Sequence, residues 1–133
     1  MKIVLATADS NLQLSLGLIL SEEPAVNIVG TTSESQSLLA LIKFTRPDIV
    51  MADWDLPGNP LSDLIKKARK KSDKPKWIIL GPSARVREKA LLAGASTFVV
   101  RGDPPEVLLR AFRHTRAQPG SSPDELPVTT KEE

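Results

Sequence analysis

The chain has no cysteine in its 133 residues. That excludes disulfides and any thiolate-held metal, and it suits a reducing cytosol. It has a single histidine, His114, near the end of its apolar content and with no catalytic partner in the sequence. No apolar run approaches the ~20 residues of a membrane span. The opening "MKIVLATADS" is too short for a signal-peptide core. The expectation is a cytoplasmic protein with no membrane segment. What is present is 41% hydrophobic and 26% charged residues, a soluble globular composition of one-domain length.

Charge is unevenly spread. Residues 1–65 carry 3 basic and 8 acidic side chains, residues 66–116 carry 14 and 4, and residues 117–133 carry 1 and 4. The basic excess includes Lys66, Lys67, Arg69, Lys70, Lys71, Lys74 and Lys76, with Trp77 beside them. Clustered cations are what phosphate contacts require, so nucleic-acid binding is one reading. No base-reading motif accompanies them and Trp77 opens an apolar run, so a solvated helix end is the stronger one.

Five short apolar runs recur: "KIVLA" (2–6), "VNIVG" (26–30), "DIVMAD" (48–53), "KWIIL" (76–80) and "TFVVR" (97–101). The segments between them have helical signals. "TSESQSLLALIKF" offers Ser33 as a cap with Gln36 three residues on. "NPLSDLIKKARKK" ends in cations, "ARVREKALLAGAS" stops at Gly94, and "GDPPEVLLRAF" offers Asp103 as cap with Glu106 completing a capping box. Alternating strands and helices predict a doubly wound parallel α/β sheet. "NLQLSLGLIL" has leucines at period two, but a crossover between two parallel strands needs a helix, and a helix is expected. On that helix Leu12, Leu16, Ile19 and Leu20 share a core face, which leaves Leu14 and Leu18 outward as candidate interaction residues. The end, "QPGSSPDELPVTTKEE", reads as a disordered tail or linker, giving a domain over 1–116 and a tail over 117–133.

In such a sheet, ligands sit beyond the C-terminal strand ends. The residues expected there are Thr7, Ala8 and Asp9 after the first strand, Asp53 at the tip of the third, Gly81 with Pro82 and Ser83 after the fourth, and Arg101 after the fifth. A carboxylate on a middle strand and a cation on the last converge from distant parts of the chain.

Over about residues 2–116 these segments, "RPDIVMADWDLPG", "ALLAGASTFVVRGDPPEVLLRAF" and "SEEPAVNIVG" above all, resemble the receiver domain of two-component response regulators. The flavour is that of LuxR/NarL-type regulators, whose receivers precede helix-turn-helix output domains. The resemblance implies a flavodoxin-like fold with strand order 2-1-3-4-5. It also implies a phospho-acceptor at Asp53, served by Mg²⁺ on an acidic pair after the first strand. The pair matches Thr7 and Ala8, so both carboxylates are missing, and Asp9 lies one position late, where a helix cap is expected. The family's switch threonine matches Gly81, its lysine matches Arg101, and its switch aromatic matches Phe98.

Two readings follow. The first is an atypical pseudo-receiver, a non-enzymatic module for interaction with other signalling proteins, without cofactor and independent of phosphorylation. The second is a working phospho-acceptor in a phosphorelay, with Asp53 and Asp9 as makeshift Mg²⁺ ligands. A sensor kinase, an output domain and a homodimer are the expected partner classes, with Arg110 and Arg113 on the last helix as further contact candidates. Asp53 is expected to pair with Arg101.

Overall fold

A computed structural model describes residues 1–70 and 75–118. Lys71, Lys74 and the segment after Gln118 lie outside the described residues. The elements run β1 (Lys2–Ala6), α1 (Ser10–Ser21), β2 (Asn27–Thr32), α2 (Ser35–Thr45), β3 (Ile49–Asp53), α3 (Leu61–Lys70), β4 (Lys76–Gly81), a 3-10 turn (Ala84–Val86), α4 (Arg87–Ala93), β5 (Thr97–Val100) and α5 (Pro105–Ala117). The strands form one parallel sheet in the order β2-β1-β3-β4-β5, as expected.

Side-chain alternation along the strands builds two cores. Val4, Val50 and Ile79 face α2, α3 and α4, where Leu38, Ile42, Leu64 and Ile65 complete the layer. Ile3, Leu5, Ile49, Met51 and Ile78 face the opposite way onto Leu16 and Leu20 of α1 and Leu108 and Phe112 of α5. Each of these buried aliphatic side chains contributes about 1.5–3 kcal/mol. Strand β3 is central and every one of its five residues is buried, which explains its unbroken apolar run. The period-two leucines of the first connector do form a helix. Leu16 and Leu20 are buried, Leu12 and Ile19 half-buried, and Leu14 and Leu18 are 65% and 63% exposed. None of the twelve residues of α1 is charged.

Two expected caps move. Helix α2 starts after Glu34, not Ser33, because Thr32 Oγ1 accepts the Glu34 amide at 3.3 Å and the Ser35 amide donates to Pro57 O at 2.9 Å. Helix α5 starts after Pro104, not Asp103, and no side chain caps it. A residue that precedes proline is pushed out of the helical region, and Pro104 precedes Pro105, so the start slips forward. Gly94 ends α4 as expected, at φ 121.

Candidate functional site

The C-terminal ends of β1, β3 and β5 meet at one edge of the sheet. Thr7 leaves β1 with its amide donating to Thr32 O at 3.0 Å, which fixes its side chain inward, and it is buried. Its hydroxyl donates to Asp53 Oδ2. The Asp9 amide donates back to the same hydroxyl oxygen at 3.1 Å, so Thr7 is oriented from both sides. Asp53 stands at the tip of β3, its side chain only 7% exposed.

Arg101 comes from just beyond β5, where its amide donates to Gly81 O at 2.8 Å. Its guanidinium reaches back over β4. Nη1 lies 3.2 Å from Asp53 Oδ1 and Nη2 lies 3.3 Å from Asp55 Oδ2. The expected Asp53–Arg101 pair is therefore present, as a fork shared between two carboxylates. The contact to Oδ1 is a charge pairing without hydrogen-bond alignment, so this buried oxygen has no hydrogen-bond donor among the described residues. Burial opposes the charge on Arg101, but Asp53 and Asp55 outweigh it and hold the guanidinium above its ordinary pKa.

Asp9, one position late for the family's acidic pair, does not turn inward. Its Oδ1 accepts the amides of Asn11 at 3.0 Å and Leu12 at 3.1 Å, an N-cap for α1 worth about 1 kcal/mol. Ala8 supplies no side-chain donor atom. Gly81 ends β4, and its bare Cα is covered by Phe98, which is buried. A Cβ built on Gly81 would lie 2.5 Å from both Phe98 Cε1 and Cζ. The aromatic ring thus fills the space where a side chain at position 81 would stand, with the Arg87 guanidinium 6.0 Å from its centre. Ser83 is occupied elsewhere, accepting the Arg85 amide at 3.3 Å.

Two parts of this site were missed in the sequence. Thr7 is expected at this edge but only as the place of a lost carboxylate, whereas its hydroxyl is the donor that holds Asp53. Asp55 was not singled out at all, although it follows Asp53 by two residues and lies within reach of the same cation.

The other candidates lie apart. Arg113 grips Glu23 with two nitrogens at 3.1 and 2.9 Å, and Arg116 donates to Pro24 O at 2.6 Å, so both serve to hold α5 to the α1–β2 loop. The hydrogen bonds from Arg113 lower the Glu23 pKa. Arg110 is exposed and His114 lies 3.0 Å from the Gln118 side chain. In the basic run, Trp77 is 2% exposed and cannot stack on a base, and Lys76 donates to Thr115 O at 3.0 Å and to Gln118 O. That removes the aromatic from the nucleic-acid reading.

No family model matches the chain. A probable transcriptional regulatory protein, SgaR of Hyphomicrobium methylovorum, is 29% identical over 83% of this chain and 54% of its own length. The nitrate/nitrite response regulator NarL of Escherichia coli K12 is 26% identical over 74% of this chain and 47% of its own. The chain thus spans about half the length of these curated relatives. Among solved structures, the isolated receiver domain of RcsB from Salmonella enterica superposes with a TM-score of 0.79 at 18% identity, covering 87% of this chain and 88% of that one. With this strand order and Asp53 at the tip of β3, the chain has the fold of response-regulator receiver domains and is similar in sequence to response and transcriptional regulators.

Proposed function

We propose that this receiver is atypical: it works as a protein-interaction module whose conformation is set by its own side chains and not by phosphorylation. The observation that carries this reading is the Thr7–Asp53–Arg101 arrangement, in which one carboxylate oxygen already has a hydroxyl donor and the other a guanidinium. The donor set also argues against Mg²⁺. That ion favours hard oxygen ligands in near-octahedral order, usually carboxylates. Ala8 offers none, Asp9 is spent on two helix amides, and Asp53 and Asp55 share a cation. No group of three or more acidic, histidine or cysteine side chains able to hold a metal occurs among the described residues. Phe98, held inward over Gly81, favours a single resting state for the surface of α4 and β5. The partner class is other signalling proteins, a sensor kinase or an output domain, in keeping with relatives named as transcriptional and response regulators.

The second reading, a working phospho-acceptor, draws on one feature. Asp53 Oδ1 is an oxygen without a hydrogen bond, facing a cation able to neutralise incoming charge. One experiment separates the two. The chain is incubated with acetyl phosphate and Mg²⁺ and its intact mass is followed over time. The expected result is no phosphoryl adduct, with unchanged circular dichroism. An adduct that disappears in Asp53→Asn would establish the second reading.

A further inference from the structure

Strand β2 is an edge of the sheet, and among the described residues nothing pairs with its outer side. Natural edge strands are blunted by charge, proline, bulges or a covering element, because an open edge templates further pairing. The residues of β2, "NIVGTT", include neither charge nor proline. One register irregularity against β1 falls near Ile28, and Gly30–Thr32 remain in step with Val4–Ala6.

Exposed apolar groups flank this edge in both helical layers. On one face, Leu14, Gly17 and Leu18 of α1 line an open apolar groove of about 430 Å³ with Ile28 and Thr31 of β2. On the other face, Leu41 of α2 lies against Gly30, and Phe44, one turn further along the same side, is 88% exposed. Leu14 and Leu18, two of the five large exposed hydrophobic residues among those described, therefore border this strand edge, and Phe44 follows Leu41 by three residues on the other layer.

We propose that the β2 edge is a self-association surface, on which a second copy of this chain pairs β2 with β2 in antiparallel fashion about a two-fold axis. The uncharged character of α1 and β2 selects the occupant. A charged partner would bury its charges without counterions, whereas an identical edge is neutral, has the same unpaired amides and carbonyls, and is self-complementary by symmetry. The spacing fits as well. Strands lie about 4.8 Å apart, and α1 packs above β1 and β2, so its axis stands about 5 Å from the two-fold. Two copies of α1 would run about 10 Å apart, within the packing distance of helices. Gly17, with nothing within 4 Å of where its Cβ would stand, leaves a hollow beside Leu14 and Leu18 for the partner's leucine. The face is modest: α1 is about 18 Å long, and a strip about 20 Å square buries about 400 Å² per copy, half of a standard interface. The dimer is therefore expected to be a weak one. Neither Asp53 nor Arg101 takes part in it.

Sedimentation of the full chain from about 1 µM to about 1 mM tests this. Dimerisation in that range is expected, weakened at least tenfold by Leu14→Lys with Leu18→Lys, by Phe44→Lys and by Thr31→Lys, all at exposed positions that leave the circular dichroism unchanged. In a mixture of labelled and unlabelled copies, isotope-filtered NMR should give Hα–Hα contacts between β2 strands. A chain that stays monomeric at the top of the range overturns the proposal. So does a dimer that survives these substitutions, or one without contacts between the two β2 strands.

Discussion

Arg101→Leu destabilises the domain by about 2–3 kcal/mol. Removing one partner of a buried pair leaves the other charge uncompensated, at about 3–5 kcal/mol for a fully buried pair. Arg101 is 29% exposed on its side chain, so solvent screens part of that. The carboxylate of Asp53 is left with Thr7 alone. Asp53→Asn with Arg101→Leu should recover most of the loss, because no buried charge remains and the Thr7 hydroxyl still has an oxygen to meet. Urea denaturation of the two single variants and the double variant measures the cycle. A cost under about 0.5 kcal/mol for Arg101→Leu, or a double variant less stable than Arg101→Leu alone, would mean that the pair does not support the fold.

Gly81→Thr, which restores the residue type that receivers resembling this chain have there, is expected to cost about 2–3 kcal/mol. The new Cβ would stand 2.5 Å from two atoms of the Phe98 ring, closer than atoms tolerate, so the ring must leave its buried seat. Exposing an aromatic side chain forfeits about 1.5–3 kcal/mol, offset in part by the better strand propensity of threonine. The check is a second cycle: in a Phe98→Ala background, the same threonine should be nearly neutral or stabilising. Equal penalties in both backgrounds would show that the ring and position 81 are not coupled. The physical point is that glycine here does not merely lack a hydroxyl. It permits the inward aromatic.

Much of this was legible in the chain. The five apolar runs and the connectors between them carried the strand order, because parallel pairing forces crossovers and overrides a misleading local period in "NLQLSLGLIL". Asp53 and Arg101 could be brought together because strand ends converge at one edge. The helix starts were less legible: the tandem prolines 104 and 105 and the backbone bond from Ser35 to Pro57 each shift a start by one residue, and the second of these is a contact between distant segments. Thr7 as a donor and Asp55 as the second carboxylate were invisible for a different reason. Their roles depend on side-chain direction at the loop, which no spacing rule fixes.

The reach of Arg101 across the end of β4 has a consequence for how the sheet opens. Strand β5 is four residues long and lies at an edge, the kind of element that ordinarily frays on its own. Here the residue just beyond it is tied by charge to the tip of the central strand. Fraying at that end must break the tie and strand the Asp53 carboxylate in a nearly dry site. Slow exchange of the Arg101 amide, which donates to Gly81 O, close to that of the β3 amides, is the signature of such a bolted edge, and Arg101→Leu would release it to open by itself.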